Sequence, residues 1–140
     1  MGIATSGLAP YFRVITIDLW GFGHSAATDG KAVTMTDYAD EVKTLLNQLH
    51  IQKAIVGGES MGGYIALAFL DKYPDSVQGL VLSDTQVTAD SQEAKVKREK
   101  MAIDVLAHGS ETLIRDFMPK ALSPMASEQI KMNLHHIEKK

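Results

Sequence analysis

The 140-residue chain has no cysteine, a single tryptophan and four prolines. Without thiols there is no disulfide, no thiolate metal site and no cysteine nucleophile. Neither positive nor negative groups dominate: 14 Lys and Arg stand against 17 Asp and Glu, a net −3. No basic stripe exists to meet phosphates, so nucleic acid is not an expected partner. No apolar run approaches the roughly 20 residues that span a bilayer, so no membrane partner is expected either. The first residues lack the basic and then apolar pattern of a secretory signal, which leaves the cytoplasm as the expected compartment. The remaining composition, 45% hydrophobic and 22% charged, suits one ordinary globular domain. A core that buries roughly two-thirds of the chain's surface is the expectation for that length.

Against this plain background one stretch stands out, Gly57-Gly58-Glu59-Ser60-Met61-Gly62-Gly63. Ala54-Ile55-Val56 before it is short, apolar and β-branched, as a buried strand would be. Tyr64 to Leu70 after it reads as a buried helix that ends near Tyr73-Pro74. Gly58-x-Ser60-x-Gly62 between strand and helix is the pattern of a nucleophile elbow. A serine on so sharp a turn is pushed out of the fold in a strained conformation. Its glycine neighbours are expected because side chains there would strike the adjoining strand and helix. The helix that follows aims its free N–H groups at the site, where an oxyanion could develop. A Walker loop would need Lys and Ser or Thr after its last glycine, and the dinucleotide pattern G-x-G-x-x-G is absent. The plain rival is a glycine-rich turn that only lets backbones pack closely.

Arg13 to Asp18 has the β-branched content of a strand and runs into a turn at Gly21-Phe22-Gly23-His24-Ser25. A helix follows, with Thr36 as its expected N-cap and Tyr38, Val42, Leu45, Leu46 and Leu49 on one face. Val77 to Ser83 reads as another strand after the elbow helix. Strand, helix, strand, helix, strand implies a parallel sheet with crossover helices, an α/β fold. From residue 88 the texture turns to Lys, Glu and Met, and three helices are expected. The first opens at Asp90-x-x-Glu93 and runs to about Gly109, the second covers Ser110 to Met118, and the third runs from Met125 or Ser127 to the end, with Ile130, Leu134 and Ile137 on one face. The expected division is 1–87 for the α/β core and 88–140 for a helical cap segment.

Ile17-Asp18-x-x-Gly21-x-Gly23-x-Ser25, Ser60-Met61-Gly62-Gly63 and Gly79-Leu80-Val81-Leu82, in that order, resemble α/β-hydrolase fold proteins, in particular the esterase, lactonase and enol-lactonase-like group. The resemblance covers nearly the whole chain. It implies a partial α/β-hydrolase fold and a serine hydrolase of carboxylic esters or lactones. Ser60 would be the nucleophile that carries the acyl-enzyme, and Met61 N–H one oxyanion donor. No cofactor and no metal are implied. The chain resembles the middle of such a fold: the family's third strand with its His-Gly loop, which supplies the second oxyanion donor, and the later strands that carry the triad acid and histidine, have no counterpart here. A missing central strand would leave the edges of Arg13–Asp18 and Ala54–Gly57 unpaired, and self-association through exposed edges is an expectation.

A base from within the chain would have to be a histidine. His24 follows a strand's carboxyl end, the edge where open α/β sheets place their sites. His108 ends the first cap helix. His50 closes the first helix and suits a structural role, while His135 and His136 lack a metal-binding spacing. Asp84, directly after the third strand, is the candidate acid. The alternative is a non-catalytic fragment or ligand-binding remnant that keeps the elbow as packing.

Overall fold

The computed structural model describes residues 7–109 together with Glu111, Ser123 and Met125. They fall into two units, residues 1–87 and 88–140, each considered by itself.

The first unit is built from helix α1 (Met35–Gln48), strand β1 (Ala54–Glu59), helix α2 (Met61–Lys72), a 3-10 turn (Pro74–Ser76) and strand β2 (Val77–Ser83). Helix α1 begins at Thr34, not at the expected Thr36. The Thr34 hydroxyl accepts the Asp37 N–H at 3.1 Å, and the Asp37 carboxylate accepts the Thr34 N–H at 2.8 Å. This reciprocal capping box satisfies two otherwise orphaned donors. An N-cap at Thr36 would place Ala39 at the third helical position, with no carboxylate to return the bond. Hydrogen bonds from the Thr34 side chain and then its backbone hold the Asp37 carboxyl below its ordinary range. The far end closes with His50 in the left-handed region (φ 57°). There Ile51 N–H reaches the Leu46 carbonyl at 2.8 Å and His50 N–H the Asn47 carbonyl at 3.0 Å, a Schellman closure.

Strands β1 and β2 pair in parallel through the α2 crossover, from Ala54 opposite Val77 to Glu59 opposite Ser83. An irregularity between Ala54 and Ile55 absorbs Gln78. Helix α2 packs on β1 and on α1. Phe69 is fully buried with Ala39 and Leu46, and Val42, Ile51, Ala54, Val56 and Val77 close around them. At the outer seam Asp40 of α1 accepts from the Tyr73 hydroxyl at 2.6 Å and from Lys72 Nζ at 2.8 Å. The Tyr73 ring in turn leans on Phe69, centroids 5.3 Å apart.

Two expectations fail in this unit. Arg13–Asp18 forms no strand, and the described sheet has only β1 and β2. An extended β-branched segment has no ladder unless a second strand supplies donors and acceptors, and none lies beside this one. The core of the described residues is also smaller than the chain's length suggested. Tyr38, Ala39, Leu46, Ile65, Ala66 and Phe69 are the buried hydrophobic residues among those described. Parallel sheets ordinarily bury both faces, yet Ile55 and Val81 are 54% and 60% exposed on the face away from the core.

In the second unit, helix α3 (Gln92–His108) starts at Ser91, whose hydroxyl accepts the Ala94 N–H at 3.2 Å. The expected cap, Asp90, instead meets Arg98 Nε at 2.6 Å. A carboxylate drawn to a guanidinium is not turned toward the helix amides, and the next residue takes the cap. Gly109 ends the helix at φ 81°. The helices expected over Ser110–Met118 and in the C-terminal stretch lie outside the described residues. No described helix is long and apolar enough to cross a membrane.

Candidate active site

Ser60 lies between the last residue of β1 and the first of α2 with φ 49° and ψ −114°. A non-glycine residue there is strained, at a cost of roughly 1–3 kcal/mol that surrounding structure must offset. The constraint is visible in its glycines. A Cβ on Gly58 would run into the Gly62 carbonyl, and one on Gly63 into the Thr85 side chain. Gly62 departs from the expectation: nothing lies within 4 Å of where its Cβ would be. Steric exclusion therefore explains Gly58 and Gly63 but not Gly62.

Ser60 N–H donates to the Ser83 carbonyl at 3.0 Å, extending the ladder one step past the strands. The Ser60 carbonyl starts α2, accepting from Gly63 N–H at 3.0 Å and Tyr64 N–H at 3.4 Å. Its side chain makes no capping bond. Met61 N–H is the first amide of α2, and the first amides of a helix have no partner inside it. An acyl carbonyl oxygen facing that amide would have both a hydrogen bond and the positive end of the helix dipole.

The other candidates are placed unevenly. Asp84 directly follows β2, whose last residue pairs with Glu59, so it lies at the same sheet edge as Ser60. It too has left-handed backbone, φ 44°. His24 sits in a loop folded around Asp18. The Asp18 carboxylate accepts the His24 N–H at 3.0 Å, and the Ser25 hydroxyl donates to the Asp18 carbonyl. Two bonds tie this loop to α1, Trp20 N–H to Glu41 and Tyr38 hydroxyl to the Trp20 carbonyl, both 3.2 Å. His108 belongs to the second unit, where its Nδ1 lies 3.0 Å from Asp104 Oδ1 one turn back. Among the described residues of the first unit no histidine hydrogen-bonds Ser60. The reading of the sequence passed over Thr85, whose hydroxyl donates to the Ser60 carbonyl at 3.0 Å. The extra glycine at Gly63, outside the elbow pattern proper, was the available signal that something presses on the turn.

A depression of about 440 Å³ is lined by Lys43, Asn47, His50, Lys53, Asp75 and Ser76 among others. Its residues precede both strands, so it lies at the amino edge of the sheet, away from Ser60. It is open and polar, and Lys43 Nζ is already engaged by the Ser76 hydroxyl at 2.7 Å. Among the described residues no cluster of three or more His, Asp or Glu could hold a metal ion.

The sequence profile of the alpha/beta hydrolase fold family matches residues 5–123. The chain belongs to the alpha/beta hydrolase fold family. Among solved structures, a thermophilic esterase from Thermogutta terrifontis superposes with a TM-score of 0.81 and 36% identity. The match covers 97% of this chain and 48% of that esterase. A Yersinia enterocolitica protein provisionally named carbamate hydrolase RutD is 38% identical over 87 residues, 62% of this chain and 31% of that protein. The pimeloyl-[acyl-carrier protein] methyl ester esterase of Shewanella woodyi is 43% identical over 70 residues, 50% and 25% of the two lengths. The chain thus spans about half of the solved esterase and under a third of these curated relatives.

Proposed function

We propose that the chain carries the nucleophile half of a serine hydrolase acting on carboxylic esters or lactones. The observation that carries this reading is the strained Ser60, held at φ 49° directly before the free amides of α2. Ser60 Oγ attacks the acyl carbon and the carbonyl π pair moves onto oxygen, which faces Met61 N–H. Collapse of that tetrahedral species breaks the bond to the leaving alkoxide, which takes up the proton given by Ser60. Water then cleaves the acyl-enzyme. A lactone fits the same step because it is a cyclic ester, and two esterases among the relatives favour carboxylic esters.

The step needs a base. In a serine protease, loss of the histidine costs about 10⁶ in turnover. His24 and His108 are the candidates within the described residues and Asp84 the candidate acid. A second reading, the non-catalytic remnant, is favoured by His24 and His50, the histidines of the same unit, neither of which hydrogen-bonds Ser60. Intact mass after exposure to a fluorophosphonate separates the two. Stoichiometric labelling that disappears in Ser60→Ala supports the hydrolase; no labelling of a demonstrably folded chain supports the remnant.

Self-association through the uncovered edge of β1 belongs to the same proposal. A purely monomeric sedimentation profile at high concentration counts against it.

A further inference from the structure

The carbonyl of Ser60 is bound from an unexpected side. Two of its donors are the amides of Gly63 and Tyr64, as at any helix start. The third is the Thr85 hydroxyl at 3.0 Å, from 25 positions further along the chain. Thr85 fits because Gly63 has no Cβ, for one there would collide with the Thr85 side chain. It reaches the elbow because Asp84, one residue earlier, turns the chain at φ 44° as β2 ends. Ser83 accepts the Ser60 N–H at 3.0 Å, so Ser83 and Thr85 hold Ser60 at its amide and at its carbonyl.

Holding the carbonyl has a consequence for the next amide. The carbonyl of Ser60 and the N–H of Met61 belong to one planar trans peptide and point in opposite directions. A group that fixes one therefore fixes the other. We propose that Thr85 is a positioning residue: by binding the Ser60 carbonyl it aims Met61 N–H at the space where an acyl oxygen would sit. This rests on the serine hydrolase reading for its functional meaning, while the geometric part stands on the hydrogen bonds alone. Thr85 itself need not touch substrate. Asp84, the more obvious polar residue on that loop, would then matter for its backbone turn as well as for any role as acid.

The test compares Thr85→Val, which keeps the shape and removes the hydroxyl, with Thr85→Ser, which keeps the hydroxyl, and with Thr85→Ala. Two readouts are taken on the full chain. One is the rate of fluorophosphonate labelling at Ser60; the other is the NMR shift of the Ser60 carbonyl carbon and the Met61 amide. In Thr85→Val, labelling should slow about tenfold, less than the hundredfold or more that follows loss of an oxyanion donor outright. Both shifts should move, and Thr85→Ser should restore rate and shifts. If Thr85→Val does not fold, Thr85→Ala serves as the hydroxyl-free comparison. Wild-type rate and unmoved shifts in the hydroxyl-free variant would overturn the proposal, as would a loss that Thr85→Ser fails to restore. If the wild type itself is not labelled, the hydrolase reading fails for this chain. The two NMR shifts then still decide whether Thr85 holds the peptide.

Discussion

Arg13–Asp18, with Val14, Ile15, Thr16 and Ile17, is richer in β-branched residues than Val77–Ser83, with Val77 and Val81, yet only the second is a strand. Val77–Ser83 has β1 beside it and α2 over it; Arg13–Asp18 has neither, and Ile15 and Ile17 remain exposed. The contrast separates propensity from pairing. β-branched side chains suit a pleated, half-buried surface, but the ladder itself is made of backbone groups that a neighbour must supply. Helices do not have this problem. Helix α1 closes its own ends with Thr34, Asp37 and His50 and needs no neighbour for its backbone ladder.

The widest gap between the two regions should appear in stability. Phe69→Ala removes the one fully buried large side chain among the described residues and should cost about 3–5 kcal/mol in denaturant unfolding, as large-to-small core changes do. Ile15→Ala should stay within about 0.5 kcal/mol, because an exposed unpaired residue loses little. Comparable losses at the two positions would break the comparison.

A smaller effect sharpens it at the helix start. Thr34→Ala should cost about 1 kcal/mol by loss of the cap, and Thr36→Ala much less. The reverse order, measured by the same unfolding titration, would return the N-cap to Thr36.

The smallest effect is electrostatic and lies at the α1–α2 seam. Lys72 and then Tyr73 hold the Asp40 carboxyl below its ordinary value of 3.8. Its contribution is present above that value and disappears as pH falls through the lowered one. The hydrogen bond with Asp40 also raises Tyr73 above 10.0 and Lys72 above 10.5. Those contributions are complete below pH 10 and disappear as pH rises through the raised values. Thermal melts should therefore hold steady near neutrality and fall at both extremes. Asp40→Asn should flatten part of both arms. Added salt should shrink the effect, since the pair is exposed. A mutant whose melts track the wild type at both extremes would show that the seam does not depend on this carboxylate.

The legible parts of the sequence were those whose partners lie a few residues away. The elbow announced itself through Gly58 and Ser60 because a strand that turns straight into a helix leaves room for little else. The end of α2 near Tyr73-Pro74 and the stop of α3 at Gly109 were equally readable, since proline and glycine act on their own backbone. The caps were misplaced by one or two positions. Thr34 and Thr36 differ only in whether a carboxylate lies three residues on, and Asp90 was a plausible cap until Arg98 was seen to hold it.

Local sequence was enough for the family, the crossover unit and the serine at its turn, because each rests on short-range sterics and on apolar spacing. It was not enough to tell that Arg13–Asp18, left without a partner, would form no strand at all, that Gly62 would have open space around it, or that Thr85 would bind the carbonyl of Ser60. Those outcomes depend on which backbone groups and side chains meet after the chain has folded back on itself. A hydrogen bond between residues 25 positions apart leaves no periodic trace in the sequence.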